Sequence, residues 1–286
     1  MIEEPFVAHR GLLFTVAYEM LGSAADAEDV LQETWLRWAD VDRSQVHDAR
    51  AYLVRTVTRQ ALNRMRTLAR RREDYVGQWL PEPLLTRPDV ADDVELAESV
   101  SIAMLTVLET LSPTERAVFV LREVFDLPYD EVAGAVGKTP AAVRQIARRA
   151  RDHVAARRPR VSVSPSEHRA VMDRFLAALN TGRVQELMEI MALDVVLIAD
   201  GGGLTAAAPA PVHGAQLVAT MLTGTGRAAF EHTVVWLNGV PAIRIESASG
   251  RAAVSLVVEN GHITRIYATS NPEKLMRLDK PADLTR

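Results

Sequence analysis

The sequence predicts a multidomain protein with two all-α domains followed by an α+β domain. Three observations predict this fold class. Apolar residues recur at helical spacing through residues 1–160, a proline-broken stretch interrupts them at 73–95, and β-branched runs between turn dipeptides dominate residues 161–286. At 286 residues, the chain has the length of about two domains of ordinary size.

Composition excludes several classes of protein. The chain contains no cysteine, which excludes disulfide scaffolds, thiolate zinc sites and cysteine nucleophiles. No apolar run approaches the ~18 residues that a membrane span requires, and Glu3 and Glu4 stand where a signal peptide carries basic residues. The histidines lack metal-ligand spacing. We therefore expect a cytoplasmic protein that does not bind the membrane and uses neither a metal nor a cofactor.

The net charge of −4 conceals two strongly basic segments. Residues 50–72 contain eight arginines and no acid, and residues 144–160 contain seven arginines and one acid, Asp152. Like charges at helical spacing repel each other, and a phosphate backbone would relieve that repulsion. The two segments therefore favour nucleic acid as a partner. For each segment taken alone, a solvated arginine-rich helix stays an alternative.

Three helices are predicted in residues 1–72. Apolar positions from Leu12 to Leu21 define the first, which Gly22 ends, and Ser23 caps the second. The second helix carries acidic and amide side chains on the faces away from its apolar stripe. The third runs from about Ala49 to Arg72 and contains the first basic segment.

Residues 73–95 are predicted to form a tether between two domains. Pro81 and Pro83 each remove a backbone donor and restrict the preceding residue, so a regular helix does not fit there. Apolar side chains are unusual in a solvated linker, and three of them are expected to dock elsewhere on the molecule: Trp79, Leu80 and Leu84.

Residues 96–160 carry a helix-turn-helix pattern. Ser112–Glu115 is a capping box with proline at the first helical position. Tyr129–Val136 forms a short helix that Gly137 ends, and Thr139 begins a longer basic helix. The exposed faces of that helix carry side chains suited to guanine, adenine and phosphate in a major groove. They are Arg144, Gln145, Arg148 and Arg149.

Residues 161–286 predict an α+β domain that begins with a helix. Ser164–Glu167 caps this helix, and Gly182 follows its end. Turn dipeptides then separate β-branched runs at 11-residue intervals, which predicts an antiparallel meander. The dipeptides are Asn238-Gly239, Ser249-Gly250 and Asn260-Gly261.

Three segments of the first 158 residues resemble bacterial sigma factors. Leu21–Trp35 is similar to the helix that grips core RNA polymerase, Arg50–Arg66 to the helix that reads the −10 promoter element, and Leu111–Val154 to the domain that reads the −35 element. Their order and spacing resemble the small extracytoplasmic-function class. The resemblance implies a promoter-specificity subunit whose partners are core RNA polymerase and promoter DNA at the −10 and −35 elements.

The resemblance also implies domain limits and residue roles. Sigma region 2 would span residues 1–72, a linker 73–95 and sigma region 4 residues 96–160. Region 2 would face the polymerase with Asp26, Asp29, Gln32 and Glu33. It would face the −10 element with Arg55, Arg59, Asn63 and Arg64. The −35 element would meet the four polar side chains of the longer basic helix.

The rest of the chain resembles one branch of that class, in which a SnoaL-like domain with the NTF2-like cone fold follows region 4. Three segments match the signatures of the branch, namely Trp79–Leu84, Asp200–Gly203 and Asn271–Leu275, with Glu273 where aspartate is usual. The resemblance implies a regulatory domain at residues 161–286 that modulates activity through the linker. The implied contacts are Trp79, Leu80, Leu84, Asp200, Gly201, Gly202, Gly203, Asn271, Pro272 and Leu275. A small ligand in the cone is a further expectation.

Two other functions stay open, although we expect a protein that is not an enzyme. A one-component DNA-binding regulator would explain residues 129–158 and a ligand-binding cone, but not 21–66. A cone-fold isomerase or hydrolase would need opposed acid and base groups around a cavity. Its candidates are Asp200, His213, His232, Glu246 and Tyr267, and their spacing assigns no such pair.

Overall fold

The computed structural model describes residues 4–158, 163–225, 230–248 and 250–286. Ser249 of one predicted turn and residues 159–160 at the end of predicted region 4 lie outside the described residues. The first part of the chain is helical. Its α-helices are α1 Pro5–Ala8, α2 Arg10–Leu21, α3 Ala24–Ala39, α4 Ala49–Glu73, α5 Val94–Val100, α6 Ile102–Leu108, α7 Pro113–Phe119, α8 Tyr129–Val136 and α9 Pro140–Ala155.

Helices α2, α3 and α4 pack against one another as a three-helix unit. Gly22 ends α2 in the left-handed conformation at φ 68°, and the Ser23 side chain accepts a hydrogen bond from the Asp26 backbone N–H at the start of α3. These are the boundaries that the sequence predicts, because both signals act locally.

One continuous hydrophobic core joins this unit to helices α5–α9. Leu13 of α2, Val57 of α4, Leu105 of α6 and Val132 of α8 all belong to the same buried cluster. The two predicted helical regions therefore pack against each other and bury apolar surface between them, which is the dominant favourable term in such an association.

In its described residues, the C-terminal part of the chain forms an α+β unit with three α-helices and a six-stranded sheet. Its elements are α10 Pro165–Thr181, α11 Val184–Ile190, β1 Met191–Asp200, β2 Val212–His213, α12 Ala215–Thr225, β3 Phe230–Leu237, β4 Val240–Ser247, β5 Gly250–Glu259 and β6 His262–Thr269. The strand order is β2-β1-β6-β5-β4-β3, and β1 runs parallel to β6 while the other neighbours are antiparallel. The predicted meander is confirmed as β3–β6.

The two faces of the sheet have different partners. The inner face packs on α10–α12 and buries Phe175, Leu197 and Ile243 in one cluster. The outer face packs on the helical part of the molecule, where Leu80 lies with residues of α6 and with Tyr267 of β6. The linker, rather than lying in solvent, is thus held between the helices and the sheet.

Candidate nucleic-acid interface and the docked linker

Helix α9 presents the side chains that the sequence predicts for a major groove. Gly137 turns the chain at φ 67° after α8, and the Thr139 side chain caps α9 by accepting from the Ala142 backbone N–H. Val143 and Ala147 of the apolar stripe are fully buried. The four predicted reading side chains are all exposed, and they are Arg144, Gln145, Arg148 and Arg149.

The second basic helix, α4, lies against the helix-turn-helix unit. Arg55, Arg59 and Asn63 are exposed on α4. The Arg59 Nη2 donates to the backbone carbonyl of Gly134 on α8 over 2.9 Å. The two predicted DNA-reading units are therefore in direct contact.

Arg64 contacts two acidic side chains of α3, the helix that the resemblance to sigma factors implies would face the polymerase. Its Nε lies 2.7 Å from an Asp26 carboxylate oxygen, and its Nη2 lies 3.0 Å from an Asp29 oxygen. The hydrogen bond that Arg64 donates to Asp26 makes the largest contribution to raising the pKa of Arg64. Gln32 and Glu33 project from the same helix into solvent.

The linker docks on the C-terminal unit through the backbone N–H and the backbone carbonyl of one residue, Leu80. The Asp200 carboxylate accepts from the Leu80 backbone N–H over 2.8 Å. The Lys274 ammonium donates to the Leu80 carbonyl and lies 2.6 Å from Asp200. Asp200 and Lys274 are both buried. A buried ion pair is tolerated when its remaining donors and acceptors are used, and here the linker uses them.

Two aromatic rings of the linker enclose the same ammonium. The Lys274 Nζ lies 3.2 Å from the centroid of the Trp79 ring and 4.9 Å from that of Tyr75, which is cation–π geometry. The Tyr75 hydroxyl donates to Asp200 and accepts from the Asn271 amide. Burial and the hydrogen bond to Asp200 raise the pKa of Tyr75.

The glycines after Asp200 leave room for the linker and for neighbouring loops of the C-terminal unit. A Cβ on Gly202 would lie 2.3 Å from the Asn271 amide nitrogen, and one on Gly203 would lie 3.0 Å from Val76. Gly201 is equally crowded, since a Cβ there would lie 2.5 Å from a carbonyl oxygen of Thr205. Gly202 and Gly203 also adopt φ +60° and +72°, a region in which glycine is favoured over other residues.

The remaining predicted contact residues surround this site. Leu84 is buried in the helical core. Leu275 is buried with Leu85 and Leu237 on the outer face of the sheet. Pro272 is exposed and begins a short 3-10 helix capped by Asn271. The structure thus brings the three signature segments together in one site.

Two family models match this chain, with the descriptions Sigma-70 region 2 over residues 6–71 and Sigma-70, region 4 over residues 101–154. The chain is 35% identical to the ECF RNA polymerase sigma factor SigJ of Mycobacterium tuberculosis, and the match covers 94% of this chain and 91% of that protein. The chain belongs to the ECF family of RNA polymerase sigma factors.

Two further comparisons agree with this assignment. The chain is 32% identical to the probable ECF RNA polymerase sigma factor SigI of the same organism, covering 94% of this chain and 92% of that one. The crystal structure of the Mycobacterium tuberculosis extracytoplasmic function sigma factor SigJ matches with a TM-score of 0.78 at 30% identity, covering 96% of this chain and 98% of that one. The predicted family and fold class are confirmed.

One residue that nothing in the sequence marked as a contact site, Asn238, contacts region 2, α5 and the linker. Asn238, in the β3–β4 turn, donates through its side-chain amide to the Tyr18 hydroxyl of region 2 and to the Val100 carbonyl of α5. Its amide oxygen accepts from the Leu84 backbone N–H of the linker. The dipeptide signalled a hairpin turn, but no sequence signal indicated these long-range partners.

A second missed contact fixes the linker on region 2. The Glu82 carboxylate accepts from the Ala24 backbone N–H over 2.8 Å and from the Ser23 hydroxyl at the start of α3. An acidic group at a helix N-terminus satisfies donors that have no partner within the helix. Glu82 therefore caps a helix about 60 residues earlier in the chain.

Four of the five groups proposed for an enzymatic alternative lie in different surroundings, and the fifth, His232, is half-buried on β3. Asp200 is bound by Lys274, while His213 and Glu246 are exposed. Tyr267 packs with Leu80 on the outer face of the sheet. Within the described ranges, no group of three or more His, Asp or Glu side chains is placed to hold a metal, and no helix is long and apolar enough to cross a membrane.

The contact between α2 and α5 contains a buried acid that makes the stability of this sigma factor depend on pH. The Glu19 side chain is fully buried and accepts from the Ser99 hydroxyl over 2.7 Å. Burial raises its pKa to about 8, against the opposing effects of Ser99 and of the neighbouring Arg116. The folded protein therefore holds a proton that the unfolded chain releases above its ordinary pKa.

Replacing Glu19 with glutamine should flatten this pH dependence. The contribution of a group with a raised pKa is present below the unfolded value and is lost as the pH rises towards the folded value. Between about pH 5 and 8, the wild-type unfolding free energy should fall by up to ~1.4 kcal/mol per pH unit more than that of Glu19→Gln. Urea denaturation across this range measures it. Exposed Glu131 on α8 supplies the control, and Glu131→Gln should keep the wild-type slope; equal slopes for wild type and Glu19→Gln would contradict the assignment.

Proposed function

We propose that the described arrangement is a closed form of a sigma factor that directs promoter-specific transcription initiation, and that it opens to engage a promoter. The observation that carries this proposal is the contact between α4 and α8, in which Arg59 donates to Gly134. A side chain assigned to the −10 element is thereby engaged by the unit assigned to the −35 element.

The spacing of the two promoter elements supports this proposal. Positions −10 and −35 lie about 25 base pairs apart, which is about 85 Å along B-form DNA at 3.4 Å per base pair. Two units that share one hydrophobic core cannot follow elements separated by that distance along the duplex. Promoter engagement therefore requires α4 and α8 to separate.

The C-terminal domain acts, in this proposal, as the regulator of that opening. Asp200 and Lys274 hold the linker at Leu80, and Asn238 ties the domain to region 2 and to α5. The last residues add a further tie, because the Thr285 backbone N–H donates to the Thr15 hydroxyl of α2. Each tie favours the closed form, so loosening one shifts the population towards the open form.

In the open form, the two basic helices would bind promoter DNA and α3 would bind core RNA polymerase. Arg144, Gln145 and Arg148 lie in the N-terminal half of α9, the part of a recognition helix that usually meets base edges. Arg149 would enter the −35 major groove with them, and Arg55, Arg59 and Asn63 on α4 would face the −10 element. The exposed carboxylates of Asp29 and Glu33 would contact the polymerase. No step of this function requires enzymatic chemistry.

A reversible cross-link between α4 and α8 tests the proposal. The chain has no native cysteine, and a Cβ on Gly134 would enter open space. Arg59→Cys/Gly134→Cys protein joined by a short bis-methanethiosulfonate linker should direct no promoter-specific transcription by core RNA polymerase. Reduction of the linker should restore the activity of that same double variant.

The matched control joins two positions within region 2. Arg10 and Glu28 form an ion pair over 2.8 Å between α2 and α3, so Arg10→Cys/Glu28→Cys protein is linked without fixing region 2 to region 4. Its activity should be the same before and after cross-linking. A linked Arg59→Cys/Gly134→Cys protein that transcribes as well as its reduced form would overturn the proposal.

A further inference from the structure

A cavity of about 480 Å³ lies between region 4 and the C-terminal domain. Helices α5 and α6 supply one wall, with Ala97 and Ala103 among its side chains. Strands β5 and β6 and the start of α10 supply the other, with Val257, Tyr267 and His168. The volume lies within the ~300–1,000 Å³ typical of small-molecule sites. This site differs from one enclosed within the cone, because two domains build it.

The lining of the cavity favours a neutral and largely apolar occupant. Alanine, valine, isoleucine, leucine, methionine, proline and tryptophan side chains make up most of it. Among the described lining residues, the two fully charged side chains are Glu98 and Arg158, and they pair with each other. Because they neutralise each other, neither is left to compensate a charged ligand, and burial of an uncompensated charge is costly.

His168 contributes a buried imidazole ring to the lining of the cavity. The side chain is 6% exposed, and its Nε2 lies 3.0 Å from the Leu256 carbonyl oxygen. A carbonyl only accepts, so Nε2 carries the proton. Burial lowers the pKa of His168, which keeps the ring neutral and leaves Nδ1 with a free lone pair. Nδ1 is buried without a hydrogen-bond partner among the described residues, a state that normally costs free energy.

We propose that this interdomain cavity binds a neutral, largely apolar small molecule whose hydroxyl or N–H donates to Nδ1 of His168. The ligand would supply the partner that the imidazole lacks, and the apolar lining would supply most of the affinity. Ser255 and Tyr267 place hydroxyl-bearing side chains along the same lining.

Binding at this place has a consequence that rests on the proposed function. Region 4 and the C-terminal domain each supply one wall, so the complete site exists only while the two are together. A ligand at ten times its dissociation constant should therefore shift the equilibrium about elevenfold towards the closed form and weaken promoter binding by the same factor.

A pair of small aromatic probes tests the binding site directly. 1-Naphthol carries a hydroxyl donor, whereas 1-methoxynaphthalene has a similar apolar body and no donor. By isothermal titration calorimetry on the full-length protein, 1-naphthol should bind about fivefold more tightly, as expected for one hydrogen bond between neutral groups. His168→Phe should abolish that preference, and His213→Phe at an exposed histidine should retain it.

Two variants locate the site independently of His168. Ala103→Phe fills the cavity, and Val94→Trp covers its mouth at a side chain that is 70% exposed. Each should weaken 1-naphthol binding at least tenfold, and because Val94 is exposed, Val94→Trp decides the matter if Ala103→Phe fails to fold. The proposal would be overturned if the wild-type protein bound neither probe or bound both equally. It would also be overturned if His168→Phe kept the preference for 1-naphthol, or if Val94→Trp bound 1-naphthol with unchanged affinity. Binding as expected with unchanged promoter affinity would keep the site and contradict the closed-form function.

Discussion

An Asp200→Ala variant should lose about 3–5 kcal/mol of unfolding free energy, because it leaves the buried Lys274 ammonium without its counter-charge. Lys274 lies 2.6 Å from Asp200 and is 6% exposed. The same change removes the acceptor of the Leu80 backbone N–H, so the linker should become accessible to protease. Urea denaturation measures the first effect and limited proteolysis measures the second.

An exposed ion pair in the same domain provides the control for this variant. Arg251 and Asp279 lie 3.3 Å apart with side chains 47% and 60% exposed, and Asp279→Ala should cost less than ~1 kcal/mol. The double variant Asp200→Ala/Lys274→Met should recover part of the loss, since no buried charge is then left unpaired. If Asp200→Ala cost no more than Asp279→Ala, the buried pair would not hold the linker.

A double charge reversal on α3, Asp29→Arg with Glu33→Arg, should abolish association with core RNA polymerase. Both carboxylates are exposed on the helix that the family resemblance assigns to the polymerase. Reversal replaces attraction by repulsion at an interface while little apolar packing is lost. The only described contact removed at Asp29 is its partly exposed ion pair with Arg64, which is worth at most about 1 kcal/mol. Gel filtration with core enzyme measures the association.

Glu131→Arg on α8 reverses an exposed charge outside the assigned surface and should leave polymerase association intact. Far-ultraviolet circular dichroism should report the same helicity for both variants. A transcribing holoenzyme assembled from the double α3 variant would show that α3 does not face the polymerase.

The elements that local signals encode were predictable from the sequence. Thr139, Gly137 and the apolar stripe of α9 specify a cap, a turn and a buried face within about 20 residues of chain. The Asn-Gly dipeptides likewise specify adjacent antiparallel strands, because the turn fixes the pairing. Each of these signals acts between neighbours in the sequence.

The missed features depend on contacts between distant segments. Strand β1 pairs in parallel with β6, more than 60 residues later, and a parallel pair leaves no turn that marks it. Helical periodicity predicted a buried face on α4 but did not indicate that part of it would pack against region 4. The partners of Asn238 and Glu82 are backbone and side-chain groups brought near only by the fold.

Some features of the candidate site were likewise predictable from local sequence signals, whereas others depend on contacts between distant segments. The arginines of α9 and α4 are exposed because they lie opposite the apolar stripe of each helix. The prediction of which of them would contact DNA therefore rests on their spacing and on the family resemblance. Arg64 contacts Asp26, and Arg59 contacts Gly134. These contacts join surfaces that were predicted to bind different partners. Docking of the linker residues was predicted. The hydrogen bond from Lys274 to the Leu80 carbonyl was not.

The distance between α4 and α9, measured with and without promoter and polymerase, tests the closed-to-open account most directly. Spin labels at cysteines substituted for Thr67 and Asp152, both exposed on these helices, report it by double electron–electron resonance in a chain with no native cysteine. The free protein should give one short distance distribution, and the complex with core RNA polymerase and promoter DNA should give one longer by several tens of ångströms. The same short distribution in a transcription-competent complex would show that α4 and α9 do not separate when the protein binds a promoter.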